Sequence, residues 1–204
     1  MEEKSIQETD NDLKRCVDFH GHLCPGLSIG FQATKVLMKT IGIERVGDEE
    51  IIAIVENDAC GADAIQVMTG CTFGKGNFLF RNYGKHAFTL GARKSGKAVR
   101  ACLRADALIP NPARLALMEK VQAGNTSEDE RKEFWRLQTI EAERILQSEP
   151  DSLFNVATVS MELPPKARVV KTGQCDLCGE PVRVDFLAVI GEKKICPACQ
   201  LTLC

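Results

Sequence analysis

The chain has 204 residues, 44% of them hydrophobic, enough for one medium domain with a buried core and a small appendage. A formal charge of −2 gives no global attraction to nucleic acid or membrane, and an aromatic content of 5% is too low for a platform that stacks single strands. No apolar run approaches the roughly 18 residues that span a bilayer, and the acidic start MEEKSIQETDND is unlike a signal peptide, so a cytoplasmic protein is expected.

In chain order, Leu13, Val17 and Phe19 predict a short first helix ending at His20-Gly21-His22. Pro25 opens a stronger helix, with Ile29, Ala33, Val36 and Leu37 at helical spacing and Gly42 as its stop. The β-branched run Ile51-Ile52-Ala53-Ile54-Val55 predicts a strand covered on both faces. A helix from Gly61 to Val67 ends near Gly70. Two strands follow, Asn77–Arg81 and His86–Leu90, joined through a turn at Asn82-Tyr83-Gly84. Lys97–Leu103 reads as a strand, Pro112–Val121 and Ser127–Gln147 as helices, and Phe154–Met161 as the last strand. Ser127 and Glu130 have capping-box spacing. Pro164-Pro165 marks a break, giving a first domain over 1–163 and a second over 164–204. The mixed order of elements predicts an α+β first domain with one sheet.

Ten cysteines in a reducing compartment point to metal ligands and thiols rather than disulfides. Cys175-x-x-Cys178 and Cys196-x-x-Cys199 have the spacing of a four-cysteine zinc site. Such a cage is closed, so its zinc is structural. Asp176 lies inside the first knuckle, where a carboxylate can replace a thiolate, and Cys204 is a spectator or a competitor for metal. Residues 164–204 carry six Lys/Arg and four Asp/Glu, too thin a basic balance for a nucleic-acid finger, so nucleic acid is not expected as a partner.

The first domain places His20, His22 and Cys24 within five residues, at the entrance of the helix that Pro25 opens. Cys60 has a similar setting between the strand 51–57 and the next helix. Both thiols are expected at helix N-termini, where unpaired N–H groups and the helix dipole lower a thiol pKa. With one or two imidazoles they make a zinc or iron site with a position left for water or substrate. His22 is nearest Cys24 and is taken as the ligand. His20 is a second ligand, an outer partner or a general base, and spacing does not decide. Asp58 and Asp63 flank Cys60 as candidate acids or outer acceptors. The segment Cys71–Asn77 reads as a helix cap and turn, His86 as structural, and Cys16 and Cys102 as buried core positions.

The runs Phe19-His20-Gly21-His22-Leu23-Cys24-Pro25-Gly26, Glu56-Asn57-Asp58-Ala59-Cys60, Asp63-Ala64-Ile65-Gln66 and Thr69–Asn77 together resemble the E-subunit family of formylmethanofuran dehydrogenase. The resemblance implies a mixed sheet flanked by helices, a homodimer, and an active site that holds zinc near His22, Cys24 and Cys60. It also implies, for the longer type, a C-terminal treble-clef zinc finger: a knuckle at Cys175–Cys178, a hairpin over Val182–Ile190 and a short helix from Cys196. Some members associate with the molybdenum or tungsten enzyme that reduces carbon dioxide onto methanofuran. Nothing in the chain resembles a pterin site or an iron–sulfur run. Three functions compete: a metal-binding accessory protein of a redox complex, a stand-alone zinc enzyme using His20 or Asp63 as base, and a zinc-finger interaction module.

Overall fold

The structure, a computed structural model, describes residues 6–45, 48–109, 111–166 and 169–202. It divides into two compact units, Met1–Lys166 and Ala167–Cys204. The division falls at 166/167 rather than 163/164 because the segment after the last long strand is tied back to the first unit. Leu163 covers Gly91, Arg93 donates to the Pro164 carbonyl, and Lys166 Nζ lies 2.6 Å from Glu50.

The first unit runs α1 (Ile6–His20), α2 (Pro25–Ile41), β1 (Ile51–Val55), α3 (Gly61–Thr69), β2 (Phe78–Phe80), β3 (Ala87–Ala92), β4 (Ala98–Leu103), α4 (Pro112–Gln122), α5 (Glu128–Gln147), α6 (Pro150–Leu153) and β5 (Phe154–Val159). Its sheet has the order β2-β1-β3-β4-β5. β2 joins β1 in parallel, and the other neighbours are antiparallel, which makes a mixed sheet flanked by helices, an α+β fold. Among the described residues no helix is long and apolar enough to cross a membrane.

One expected pairing is corrected. β2 and β3 do not form a hairpin; β1 lies between them, its every residue buried. An all-apolar strand takes a central place because both its faces need cover. Residues 82–84 instead belong to a loop folded onto the exit of β1: Arg81 N donates to Val55 O at 2.9 Å, and Tyr83 N and Lys85 N to Glu56 O at 3.0 and 3.2 Å. Glu56 is itself buried, with Arg100 from β4 donating to both carboxylate oxygens at 2.6 and 2.8 Å. Those bonds hold its carboxyl below the usual carboxylate range.

The core lies between the sheet and α2. Register puts Ile51, Ala53 and Val55 opposite Ala92, Leu90 and Phe88 on one face, where they join Leu27, Leu37 and Ile65. Gln32, buried on α2, donates through Nε2 to the carbonyls of Ile145, Leu146 and Ser148 at 3.1, 2.8 and 3.0 Å. These carbonyls end α5, and among the described residues only that of Ile145 also accepts from a backbone N–H there, that of Ser148, so one amide fastens the helix to α2. The capping box of Ser127 and Glu130 fixes the other end of α5. Cys16 and Cys71 are buried as core thiols, whereas Cys102 is only half-buried, because β4 runs out towards the surface there. Asn77 closes the turn after α3: its side chain accepts from Thr72 N at 3.0 Å and donates to Ile51 O at 2.9 Å.

α2 and α3 meet backbone to backbone. A Cβ on Gly30 would stand 2.2 Å from Gly61 O, one on Gly61 would stand 3.2 Å from Gly26 O, and one on Gly26 would stand 3.1 Å from Cys60 Cβ. Only glycine fits at this crossing. In an exposed helix Gly→Ala stabilises by about 1 kcal/mol. Here the new methyl would meet backbone, which cannot rotate away, so overpacking dominates. Gly30→Ala should lose a net ~1–3 kcal/mol, read as a fall of roughly 2–12 °C in the thermal midpoint. An unchanged or raised midpoint would show that the helices part without cost.

Candidate metal centres

The same crossing sets the first centre. Pro25 is the first residue of α2 and Cys24 is its N-cap, in extended backbone, with Sγ accepting from Leu27 N at 3.4 Å. Cys60 ends the β1–α3 connection immediately before α3; its backbone is already helical and its thiol makes no capping bond. Because α2 and α3 touch through Gly26, Gly30 and Gly61, their first turns are adjacent, and so are the two thiols. The imidazole of His20 joins them: one ligand atom each from His20, Cys24 and Cys60 lie within 4.8 Å of one another. His20 Nε2 is 3.7 Å from Cys24 Sγ, and its Nδ1 is 2.7 Å from Asp63 Oδ2.

Of the two histidines it is His20, rather than the expected His22, whose ring lies beside the thiols. His20 is the last residue of α1, and α1 packs on α3, which carries Asp63. Gly21, at φ +97°, then turns the chain away. His22 lies beyond that turn, exposed, its ring 4.7 Å from that of His20 and edge-on to Trp135 at 5.4 Å. Trp135, on α5 and 46% exposed, is the side chain the sequence reading missed. No local pattern announces it; it reaches His22 only because Gln32 anchors α5 to α2. Asp58 is exposed, and Asp63 is the carboxylate that meets the imidazole.

The electrostatics of Cys24 also differ from expectation. Burial outweighs the helix N–H groups and pushes its thiol up to about 11, with Cys60 beside it adding to the rise. At 6% exposure, desolvation of the thiolate exceeds what one long N–H···S contact returns. A cation entering here must displace the proton. Asp63 accepts Nδ1–H from His20, which leaves the Nε2 lone pair on the side of the thiols. A thiol pair with an oriented imidazole suits zinc or another metal that takes S and N donors.

The second unit runs β6 (Thr172–Gln174), β7 (Pro181–Arg183), a 3-10 turn (Val184–Phe186), β8 (Ala188–Ile190), β9 (Lys193–Ile195) and α7 (Pro197–Leu201). The expected single hairpin over Val182–Ile190 is two hairpins, β6/β7 and β8/β9. Cys175 and Cys178 lie in the knuckle between β6 and β7, and Cys196 is the N-cap of α7, one turn before Cys199. One sulfur from each of the four lies within 4.8 Å of the others. Backbone N–H groups of Cys178, Cys196 and Leu177 hold the Cys175 thiol down at about 6, while the neighbouring thiols of Cys196 and Cys178 push Cys199 up to about 12. Sulfurs that resist ionising together are what a divalent cation relieves. Asp176 does not substitute for a thiolate: it accepts from Lys194 N at 2.6 Å and ties the knuckle to β9. Cys204 lies outside the described residues.

Fold and sites define a class: an α+β unit whose cysteine–histidine cluster sits where two helices begin, followed by a cysteine cluster that fits a zinc finger. Residues 19–155 match the family described as FmdE, molybdenum formylmethanofuran dehydrogenase operon. The match covers more than half of the chain, which therefore belongs to the FmdE family. The fold is similar to the crystal structure of a tungsten formylmethanofuran dehydrogenase FmdE-like protein from Syntrophus aciditrophicus, with TM-score 0.64, 22% identity, and coverage of 98% of this chain and 97% of that one. A protein of Archaeoglobus fulgidus named probable S-adenosyl-L-methionine-binding protein is 32% identical over 179 residues, 82% of this chain. The chain spans 48% of that relative's length.

Proposed function

We propose that this protein is a metal-binding accessory protein of a molybdenum or tungsten formylmethanofuran dehydrogenase system, working as a homodimer, with a reactive metal held by His20, Cys24 and Cys60. The observation that carries this reading is the convergence of those three ligand atoms with Asp63 on the far nitrogen of His20. Three protein ligands leave one position of a tetrahedral ion open. When bound, the metal supplies a Lewis-acid centre. The chain's own residues do the rest. Asp63 fixes the tautomer and aim of His20, Cys24 and Cys60 give up their protons, and His22 with Trp135 borders the approach to the cluster. In the second unit, zinc on Cys175, Cys178, Cys196 and Cys199 closes the finger and has a structural task.

Metal content tests the reading. Purified protein loaded with zinc should hold two ions per chain by mass spectrometry. Cys60→Ser should remove one of them and Cys178→Ala the other. A single ion that survives Cys60→Ser would favour the zinc-finger interaction module instead.

The ligand assignment has its own test. By competition with a chelator, His20→Ala should weaken the first ion by more than tenfold and Asp63→Asn by about 10–100-fold. His22→Ala should change it by less than about threefold, since a ring outside the ligand set contributes no bond. Equal losses in the two histidine variants would reject the assignment of His20.

The name of the archaeal relative raises a second reading, S-adenosyl-L-methionine as a ligand at the same approach. The exposed indole of Trp135 beside His22 favours it, because an adenine ring can stack there. Trp135 is the only tryptophan, so its fluorescence reports directly. Saturable quenching by S-adenosyl-L-methionine, lost in His22→Ala, is the expected result; an unresponsive indole removes this reading.

A further inference from the structure

A second cleft, of about 320 Å³, opens where β3 begins and β4 ends, lined by Lys85, His86, Cys102, Leu103, Arg104 and Leu108. None of these residues belongs to either metal cluster. Its walls are set by backbone. Lys85 N donates to Glu56 O at 3.2 Å, and Leu103 N donates to His86 O at 2.8 Å. Leu103 and Leu108 pack against the core and give the cleft an apolar floor. Cys102, half-buried, lies in its wall.

Its cations differ in how they are held. Lys85 and Arg104 line it, and Arg100 lies beside Cys102. Arg100 is taken by Glu56, and Arg104 is held by both oxygens of Asp106 at 3.0 and 2.9 Å. Lys85 has no ion-pair partner within 4 Å among the described residues, although the more distant Glu56 feels its charge. His86 adds a directed donor. Asn57 Oδ1 accepts from Ala59 N at 3.4 Å, which turns the amide nitrogen towards His86 Nδ1 at 3.1 Å. An amide nitrogen only donates, so His86 Nδ1 accepts and the ring proton sits on Nε2. The neutral ring therefore offers one N–H at a cleft that Lys85, exposed and without an ion-pair partner among the described residues, also lines.

We propose that this cleft binds a small amphiphilic anion, its carboxylate or phosphate held by Lys85 and the His86 N–H, its apolar body on Leu103 and Leu108, beside the thiol of Cys102. The site is independent of the metal reading. An unpaired cation with a neutral donor over an apolar floor selects a compact anionic head on a hydrocarbon body. A neutral lipid lacks the head, and an inorganic anion lacks a partner for the floor.

Cys102 makes the cleft measurable in the full-length, zinc-loaded protein. The thiolate displaces iodide from both iodoacetate and iodoacetamide, so the ratio of the two rates cancels its ionisation and reports local charge. Read peptide by peptide in a mass spectrometer at low salt, that ratio at Cys102 should exceed the ratio for uncharged N-acetylcysteinamide by at least about three- to tenfold, the effect of one nearby cation in water. Lys85→Ala, a change at an exposed side chain, should lower it by about three- to tenfold, while Arg100, which lies beside the Cys102 thiol and is paired with Glu56, remains in both proteins. Hexanoate and hexyl phosphate should slow alkylation of Cys102, and whichever acts at lower concentration identifies the head group. Hexanol and inorganic phosphate should not slow it. A ratio equal to that of N-acetylcysteinamide, a ratio unchanged by Lys85→Ala, a Cys102 that reacts with neither reagent, no protection by either amphiphile, or equal protection by hexanol would each overturn the proposal.

Discussion

The first unit depends on one contact, the crossing of α2 and α3 through glycine. Gly26 and Gly30 lie one turn apart on α2, and Gly61 opens α3; a Cβ on Gly30 would sit 2.2 Å from a backbone oxygen. Two helices that close can start side by side, and here each start carries a thiol. Ordinary helix packing, at 8–10 Å between axes, leaves room for side chains between the helices. Removing those side chains draws Cys60 under Gly26 and within metal-ligand reach of Cys24. The glycines thus do at a distance what a short Cys-x-x-Cys motif does locally in the finger.

The two clusters solve the same electrostatic problem differently. In the finger, four thiols crowd together; backbone N–H groups hold Cys175 low, while its neighbours push Cys199 up, so the knuckle itself prepares one thiolate and a cation must supply the rest. In the first unit Cys24 is buried and its pKa is high, so the energy for ionising it must come from a cation. Asp63 partly compensates by orienting His20 from the far side. A site with three donors and a buried thiol gives up its metal more readily than a closed four-thiolate cage. That difference matches the proposed roles, structural in the finger and reactive in the first unit.

What the sequence made legible follows from how local each signal is. The starts at Pro25 and Ser127 and the stop at Gly42 are set by residues within one turn, and the structure has caps at Cys24, Ser127 and Gly42. The five-residue strand Ile51–Val55 announced its burial because all of its residues are apolar. The partner of that strand was not legible: Asn82-Tyr83-Gly84 has turn chemistry, yet the turn closes onto β1 instead of pairing β2 with β3. The choice between His20 and His22 was hidden too, since it rests on α1 ending at His20 and on α1 packing against α3. The Gly26–Gly30 spacing is visible in the chain, but nothing in it says which surface those glycines meet. Cys102 read as core because strand alternation does not show how far β4 runs into solvent.

The exit of β1 ties these features together. Glu56 takes Arg100 with its carboxylate and the 83–85 loop with its carbonyl, which builds one wall of the anion cleft. Asn57 follows it, buried, with its amide nitrogen on His86 and its oxygen on Ala59 N. Ala59 directly precedes Cys60, and Ala59 O accepts from Ala62 N in the first turn of α3. The four residues from Asn57 to Cys60 therefore link the His86 ring to the thiol that faces Gly26. A side-chain amide has only two ends, and here each is committed to a different neighbour. A shift of His86 must either break its bond to Asn57 or carry the Ala59 turn with it. The segment from Glu56 to Cys60 is thus constrained from two directions, by the cleft on one side and by the glycine crossing on the other, and a polar buried Asn is the residue type that can satisfy both.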